Sequence, residues 1–339
     1  MLQPIDPEAS SASLLTGTLF ALAAGLMWGL VFVGPLLLPE YPATLQSFGR
    51  YLAFGLIALP LAWFDRQALA RLTRSDWVEA LKLALVGNVI YYLFLASSIQ
   101  RAGGPLPTMI IGTLPVVIAI TANLRTARAG ARVEAQLPWA RMLPSLALIA
   151  TGIALVNQVE LAHLRADPQA DLQRYALGAL LAVGAVVCWT WYPIRNSEWL
   201  RAHPDRSPRG WATAQGLATL PLALVGYALT WAWFALADVP FDMPLGPNPL
   251  FFVGLMLAIG LLASWLGTLC WNEASQRLPP SLAGQLIVFE TLAALAYAFV
   301  LRGQAPQPQT VAGIVLLVAG VLWALRTRPA AQRAQAHPN

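Results

Sequence analysis

The sequence predicts an all-α integral membrane protein with ten transmembrane helices, and three observations support that fold class. Hydrophobic residues make up 58% of the 339 residues and charged residues only 11%, whereas a soluble domain is about 25% charged. The apolar residues form continuous runs of about twenty, the length that an α-helix needs to cross a bilayer core of ~30 Å. These runs also lack the ten-residue alternation of a transmembrane β-strand.

Ten runs are predicted to span the membrane, and the short connections between them leave no room for an inserted soluble domain. The spans lie near 14–38, 44–64, 77–99, 105–124, 142–159, 175–194, 211–235, 250–271, 281–301 and 310–325. Residues 1–13 and 326–339 flank them as tails. Because no Lys or Arg precedes the first run, and because the run is too long for a signal-peptide core, we expect no cleaved leader.

The basic residues predict the orientation, since cytoplasmic loops of membrane proteins are enriched in Lys and Arg. With the N-terminus in the cytoplasm, sixteen basic residues fall on the cytoplasmic side and four on the outer side, while Arg50 lies inside a span. The four outer residues are Arg101, Arg165, Arg174 and Arg302. We therefore expect a multi-pass protein of a bacterial inner membrane with both tails cytoplasmic, and we assign the net charge of +5 to this basic face rather than to nucleic-acid binding.

Internal similarity predicts two halves. The segment Gly17–Trp28 matches the segment Gly178–Trp189 at one constant spacing in its Gly, Leu, Ala, Ala and Trp residues. Two further matches follow in the same order, Gln100-Arg101 with Gln276-Arg277 and Gly152 with Gly320. The halves 14–159 and 175–325 each hold five spans, an odd number, so equivalent helices point in opposite directions. This is the inverted repeat of secondary transporters, which places the substrate site in a central cavity.

Motifs along the whole chain resemble those of a known family. They are Ala-Gly-Leu-Met-Trp28-Gly-Leu, Ser-Phe-Gly-Arg50-Tyr-Leu, Thr-Leu-Pro115-Val-Val and Phe289-Glu290-Thr291. Together they resemble the ten-helix, EamA-type exporters of the drug/metabolite transporter superfamily, and within it the branch that exports aromatic amino acids. The resemblance implies a secondary transporter that exports amino acids, aromatic and other neutral ones, across the inner membrane by alternating access.

The chain departs from the family pattern at three places. Thr291 stands where the family often has Pro after the Glu of span 9. Where the family often has Gly-Glu before the last helix of each half, this chain has Gly303-Gln304 in one half and only Glu134, within an Arg-rich loop, in the other. These differences affect the expected local helix geometry and the role of those acids, but they leave the expected fold unchanged.

Two ionisable residues lie deep in the predicted spans, where charge is costly and often functional. Glu290 lies near the membrane midplane. It is predicted either to couple protons or accept a substrate ammonium, or to be a protonated acid hydrogen-bonded between helices. Arg50 lies about six residues from the outer end of its span, ~9 Å along the helix. Its alternatives are to organise the outer half, to contact a substrate carboxylate, or to extend to the outer interface.

Aromatic and amide side chains complete the predicted substrate site. The candidate substrate-binding residues are Trp28, Asn88, Tyr91, Tyr92, Trp189, Trp191, Trp265, Trp271, Asn272 and Glu290. Packing against lipid or other helices is the alternative for each aromatic residue, and interhelical hydrogen bonding is the alternative for the two amides. The cavity interpretation is best for Trp28 and Trp189, because the repeat gives both the same depth.

Other residues are predicted to serve the membrane boundary. Trp side chains at span ends are typical interfacial anchors. Those assigned to this role are Trp63, Trp77, Trp139, Trp199 and Trp211. Glu79 and Lys82, three residues apart on a helix, are predicted to form a local ion pair.

The sequence favours transport over catalysis. It has no phosphate-binding Gly-x-x-x-x-Gly-Lys-Ser/Thr motif, and the intramembrane carboxylates do not occur in pairs. Cys188 and Cys270 fall in apolar runs, so we expect neither a disulfide nor a metal site and no cofactor. The expected partners are amino-acid substrates and membrane lipid; the oligomeric state stays open, and a monomer would suffice. The remaining alternatives are a passive facilitator or channel for another small metabolite or drug and, with less support, an intramembrane enzyme.

Overall fold

The computed structural model of the chain describes residues 7–102, 105–128, 139–165, 172–278, 280–303 and 305–326. Every regular element in those ranges is a helix, which confirms the predicted all-helical class. Residues 1–6 and 327–339, which belong to the predicted tails, lie outside the described residues. So do Glu134 and Gln304, two of the positions at which the sequence departs from the family pattern.

The helices cover all ten predicted spans. The α-helices are α1 (Pro7–Gly29), α2 (Val33–Leu37), α3 (Ala43–Phe64), α4 (Arg66–Leu69), α5 (Arg74–Leu83), α6 (Tyr91–Ala102), α7 (Pro105–Ile111), α8 (Leu114–Arg128), α9 (Trp139–Arg165), α10 (Leu172–Ala202), α11 (Pro208–Leu236), α12 (Pro249–Ile259), α13 (Gly267–Arg277), α14 (Pro280–Leu286), α15 (Val288–Arg302) and α16 (Pro308–Arg326). A 3₁₀ turn, Leu30–Phe32, joins α1 to α2. Two π-helical segments, Ala84–Ile90 and Gly260–Leu266, join α5 to α6 and α12 to α13.

Among the described residues, seven helices are long and apolar enough to cross a membrane. They are Ser13–Leu37, Ala43–Phe64, Arg74–Ala102, Gln173–Ala202, Pro208–Leu236, Pro249–Arg277 and Leu282–Leu301. Two shorter apolar stretches, Met142–Leu155 and Pro308–Gly320, lie within α9 and α16. That α7–α8, α9 and α16 also cross the membrane remains a prediction.

Helix ends differ from the predicted span ends. A capping box starts α5 at Arg74, because the Thr73 hydroxyl accepts from the backbone N–H of Asp76 and the Asp76 carboxylate accepts from that of Thr73. At the other extreme, α10 continues to Ala202, eight residues past the predicted end of span 6. The apolar pattern reports where the chain leaves the hydrocarbon, whereas helix ends depend on caps and local packing.

The helices pack in matched pairs. The helix α3 packs against α11, α8 against α14, and α9 against α16. The first long helix, α1, packs against α13 and α15, while α10 packs against α6 and α7. The hydrophobic core lies where α1, α3, α6, α10, α11 and α13 meet.

Two glycines show how closely α9 and α16 approach. A Cβ added to Gly152 would lie 3.0 Å from Cγ of Leu317, and a Cβ added to Gly320 would lie 2.7 Å from Cγ1 of Ile149. Leu317 lies three positions before Gly320, and Ile149 lies three positions before Gly152, so the two contacts are reciprocal. Since lipid gives helices no hydrophobic reason to associate, small residues at such interfaces supply the packing energy.

Candidate functional site

Five aromatic side chains from four helices form a continuous cluster, the aromatic cluster: Trp28 of α1, Tyr91 of α6, Trp189 and Tyr192 of α10, and Trp271 of α13. Trp28 meets Trp189 edge to face at 4.9 Å between ring centroids and lies 5.2 Å from Trp271. Trp189 stacks on Tyr91 at 4.5 Å and on Tyr192 at 5.0 Å. All five rings are buried. The structure therefore brings together four of the predicted site residues.

Tyr192 is the member of the aromatic cluster that the sequence interpretation missed. It lies three residues after Trp189 on the same helix, and residues at this spacing share a face. Helical spacing from Trp189 is the signal that could have identified it.

Glu290 lies in the first turn of α15, immediately after the helix breaks at Ile287. Its side chain is buried, and neither carboxylate oxygen has a hydrogen-bond partner among the described residues. The close approach of α1 to α15 at Gly25 and Gly29 accounts for its position. A Cβ on Gly25 would lie 3.0 Å from the backbone nitrogen of Glu290, so α1 is packed directly on this turn. The structure therefore does not show the interhelical hydrogen bond that was the alternative for Glu290.

Polar atoms around the aromatic cluster are also left without partners. Buried atoms with no hydrogen bond to the described residues include the indole nitrogens of Trp189 and Trp271, the hydroxyl of Tyr91 and Nη1 of Arg50. Trp189 lies near the Glu290 carboxylate but lacks the geometry of a hydrogen bond to it. Each unsatisfied buried group costs about 1–3 kcal/mol, so such a set is typical of a site that receives a polar ligand.

Arg50 projects from α3 into the second π-helical segment. Its Nε donates a hydrogen bond of 3.0 Å to Oγ of Ser264. Its guanidinium lies over the rings of Tyr92 and Tyr51, at 4.6 and 5.0 Å from their centroids. The residue is 4% exposed, so it does not extend to the outer interface, which was one of its alternatives. Tyr91 lies within electrostatic range of both Arg50 and Glu290 and thus connects the two charges.

Several other predicted site residues are occupied by interhelical hydrogen bonds. Asn272 accepts from Nδ2 of Asn196 at 2.8 Å and donates to the Pro208 carbonyl at 3.0 Å. Asn88 donates to Oγ1 of Thr219 at 3.2 Å. These contacts favour the interhelical alternative for both amides.

Three predicted aromatic candidates lie outside the aromatic cluster. Trp265 donates to Oγ1 of Thr213 at 3.2 Å, and Tyr92 donates to the Val31 carbonyl at 3.2 Å. Trp191 is only partly buried and packs against the edge of the core. Helix packing is therefore the better interpretation of these three side chains.

The sequence interpretation missed a polar network that extends from the aromatic cluster toward one end of the helices. This end carries Asp65, Asp76 and Glu79, and we call it the Asp76 face. Tyr192 donates to Oε1 of Gln215 at 2.8 Å, and Gln215 donates to Oδ1 of Asn196 at 3.1 Å. That same oxygen accepts from the indole of Trp211 at 2.8 Å. The network ties α10 to α11 on this side of the cluster.

The assignment of Trp199 and Trp211 as interfacial anchors is wrong. Both are buried, and their rings stack with centroids 3.5 Å apart. Trp199 donates to Oδ1 of Asp76 at 3.1 Å. The extension of α10 past its predicted end places Trp199 among helices rather than at the lipid boundary.

Ion pairs join the helix ends at the Asp76 face. Glu79 accepts from Nε and Nη2 of Arg195, and Lys82 lies 3.7 Å from the same carboxylate. The predicted pair of Glu79 and Lys82 is therefore confirmed, but Arg195 is the main partner. Glu198 adds a contact of 3.0 Å with Arg125.

Two cavities open at opposite ends of the helices. The larger cavity, about 640 Å³, lies at the end of the helices that carries Tyr41, which we call the Tyr41 face. Its walls include Glu40, Tyr41, Gln100 and Arg174. The smaller, about 420 Å³, lies at the Asp76 face between the C-terminal ends of α10 and α13. Neither cavity is lined by a member of the aromatic cluster.

Comparison with known proteins gives three similarities. Residues 15–128 match the model of the EamA-like transporter family. The chain is 54% identical over 316 residues to the inner membrane protein YtfF of Escherichia coli (strain K12). These residues cover 93% of this chain and 97% of YtfF. A crystal structure of another protein has the same fold, with a TM-score of 0.63 and 18% sequence identity; the match covers 91% of this chain and 96% of that one. This helical membrane protein belongs to the EamA-like transporter family.

Proposed function

We propose that this protein is a secondary transporter that exports amino acids, aromatic and other neutral ones, across a bacterial inner membrane by alternating access. The observation that carries the proposal is a buried carboxyl group and a buried guanidinium group, each with free hydrogen-bonding capacity among the described residues. Glu290 has two unpartnered oxygens and Arg50 an unpartnered Nη1 among the described residues. Tyr91 lies within electrostatic range of both charges.

This arrangement suits a zwitterion. The Glu290 carboxylate accepts from an ammonium group, and Nη1 of Arg50 donates to a carboxylate, so an amino acid would satisfy both charges at once. Charge-assisted hydrogen bonds of this kind are worth about 1.5–3 kcal/mol each. The side chain of the substrate would then face the aromatic cluster, whose indole and phenol groups offer apolar surface together with unpartnered donors. A single chain supplies all of these residues, so a monomer would suffice.

Matched features of the two halves support the proposed inverted repeat. The π-helical segments Ala84–Ile90 and Gly260–Leu266 both precede the helix that ends in a Gln-Arg pair. The contact of α6 with α10 corresponds to that of α13 with α1, and α9 and α16 meet through the reciprocal glycine contacts described above. Spans 4 and 9 are each divided into two helices, α7–α8 and α14–α15. Discontinuous helices around a midplane site are typical of secondary transporters.

The orientation proposed from the basic residues makes the Asp76 face cytoplasmic. The relative YtfF is an inner membrane protein, and we propose the same location here. In this orientation the ion pairs of Glu79, Arg195 and Glu198 close the cytoplasmic side, and the larger cavity opens outward.

A facilitator without a coupled ion is the second candidate mechanism. Among the described side chains, Glu290 is the one buried carboxylate outside the Asp76 face, so no second buried acid is found there to share a proton-transfer step. The amino-acid substrate is the same in both mechanisms, and only the driving force differs.

Counterflow in proteoliposomes tests the proposal. Purified protein is reconstituted with unlabelled amino acid inside and radiolabelled amino acid outside, and uptake is followed with and without a pH gradient. We expect transient accumulation of aromatic and other neutral amino acids. Absence of counterflow for aromatic, aliphatic and polar amino acids alike would contradict the substrate class. Accumulation that does not depend on the pH gradient would favour the facilitator.

A further inference from the structure

One face of α3 carries buried polar atoms that no helix-packing role explains. Oε1 of Gln46, Oγ of Ser47 and Nη1 of Arg50 have no hydrogen-bond partner among the described residues. Gln46 and Ser47 are fully buried and Arg50 is 4% exposed. Because Arg50 follows these residues by four and three positions, all three lie on one face of the helix. We call these three residues the polar face of α3.

The other sides of α3 are closed by tight apolar packing. A Cβ on Gly226 of α11 would lie 2.0 Å from the ring of Phe48, and a Cβ on Gly49 would lie 2.7 Å from the ring of Phe252. The polar face therefore points away from α11 and α12. Its Gln46 oxygen lies 3.9 Å from the Cβ position of Gly34 in α2.

The polar face connects two places already described. At its inner end Arg50 is one of the two charges of the proposed substrate site. At its outer end, seven residues and ~10 Å earlier along the helix, α3 begins at Ala43, next to the wall of the larger cavity at Tyr41 and Pro42.

The loop 38–42 lies between the polar face and that cavity, and two glutamines hold the loop in place. Gln46 donates through Nε2 to the carbonyls of Leu38 and Tyr41, at 2.9 and 2.8 Å. Gln100 of α6 donates to the Tyr41 carbonyl at 2.6 Å and accepts from the backbone N–H of Ala43 at 3.0 Å. Three side-chain hydrogen bonds thus hold carbonyl groups of the five-residue loop, and a fourth holds the first residue of α3. Four of the loop residues, Pro39 to Pro42, line the cavity wall.

We propose that the polar face of α3 is the route by which the substrate passes between the central site and the Tyr41 face, and that the loop 38–42 is the barrier across it. The inference rests on the proposed amino-acid transport. Along this route the Ser47 hydroxyl and the Gln46 amide oxygen accept from the ammonium group as it leaves Glu290, while Arg50 releases the carboxylate last. Each group gains a partner that the closed structure does not give it.

Cysteine accessibility tests the route without requiring transport. In a Cys188→Ala, Cys270→Ala background, single cysteines are introduced at Ser47 and, as a second position on the same face, at Ala43. Leu45→Cys is the matched control, because Leu45 is equally buried two residues from Ser47 but lies off the polar face. Glu40→Cys, in the cavity wall, identifies the Tyr41 face. A charged, membrane-impermeant methanethiosulfonate is then applied to each side of the membrane in turn.

We expect the reagent to modify Ser47→Cys from the side that modifies Glu40→Cys, several-fold faster than it modifies Leu45→Cys. Excess amino acid should slow the reaction. Equal rates at Ser47→Cys and Leu45→Cys, or no reaction at both Ser47→Cys and Ala43→Cys while Glu40→Cys reacts, would overturn the route. If Ser47→Cys does not yield folded protein, Ala43→Cys decides the result alone.

The barrier is tested by loosening the loop. Gln100→Ala removes the hydrogen bond to the Tyr41 carbonyl and the one from the Ala43 backbone N–H, so the modification of Ser47→Cys should become several-fold faster. Gln276→Ala is the control at the opposite face, where Gln276 donates to the Arg206 carbonyl at 3.2 Å, and it should leave that rate unchanged. Acceleration by both variants or by neither would contradict the barrier. Modification at Ser47→Cys in a protein that shows no amino-acid counterflow would retain the route and refute the substrate, whereas counterflow without modification would do the reverse.

Discussion

The indole rings of Trp28 and Trp189 meet edge to face with their centroids 4.9 Å apart, although 161 residues separate them in the chain. Each is the last residue of one of the two similar segments, Gly17–Trp28 and Gly178–Trp189. The two segments therefore converge on one contact. If a twofold axis relates two inverted halves, that axis would pass close to such a pair of equivalent residues.

Replacement of either ring should impair transport. With expression held equal, we expect Trp28→Ala and Trp189→Ala to lower the amino-acid counterflow rate about tenfold or more, equivalent to ~1.4 kcal/mol, since each opens the wall of the proposed site. Trp63→Ala is the control, because Trp63 is 69% exposed on the surface of α3. Equal losses for all three variants would mean that these aromatic residues contribute only to packing or membrane anchoring.

Sequence patterns predicted the aromatic cluster better than its surroundings. Depth along an apolar run and the repeat were enough to select Trp28 and Trp189, because both properties follow from spacing alone. The partners of Asn272 and Trp211 could not be selected in this way. Both hydrogen-bond to Asn196, which lies beyond the predicted end of span 6, and only the helical extension of α10 brings it inside.

The two buried charges show a second limit of sequence reasoning. Their apolar surroundings in the sequence identified Glu290 and Arg50 as unusual, but the sequence did not decide between the alternatives for each residue. Arg50 is fixed by Ser264, 214 residues away, and Glu290 by the approach of Gly25. Contacts between helices so distant in sequence depend on the packed arrangement and leave no local signal.

Loss of the Arg195 guanidinium should destabilise the Asp76 face. The Glu79 side chain is 8% exposed and takes two hydrogen bonds from Arg195, so Arg195→Ala leaves a buried acid with a single, more distant cation. We expect a loss of about 1–3 kcal/mol in the free energy of unfolding, seen as a lower Tm in detergent. Lys82→Ala, which removes the 58% exposed partner, should change stability by no more than about 0.5 kcal/mol. A larger effect at Lys82 than at Arg195 would contradict this ranking.

The excess of basic residues on one side predicts where the C-terminus lies. A fluorescent protein that folds in the cytoplasm should be active when fused after residue 339, and a phosphatase that requires the periplasm should be inactive at the same position. The reverse pattern would overturn the orientation, and with it the assignment of the Tyr41 face to the outside.

The last prediction separates the roles of Glu290 and Arg50 with three ligands that share one aromatic side chain. Phenylalanine carries both charges, phenethylamine only the ammonium and 3-phenylpropionate only the carboxylate. Each should compete with labelled phenylalanine in counterflow, and the concentration that halves uptake measures its affinity. If Glu290 binds the ammonium group, Glu290→Gln should weaken the binding of phenylalanine and of phenethylamine about tenfold, or ~1.4 kcal/mol. The binding of 3-phenylpropionate should stay unchanged.

Arg50→Gln should give the complementary pattern, with weaker phenylalanine and phenylpropionate and unchanged phenethylamine. The two variants act as controls for one another, because a general disturbance of the site would weaken the binding of all three ligands alike.

The same Glu290→Gln protein also tests ion coupling. If Glu290 carries the coupled proton, the variant should lose accumulation driven by a pH gradient while it still exchanges substrate for substrate. If it keeps wild-type pH dependence but loses the preference for amines, Glu290 recognises the ammonium group and takes no part in coupling. Because Glu290 is the one buried acid outside the Asp76 face among the described side chains, that outcome would favour a facilitator over a proton-coupled exporter.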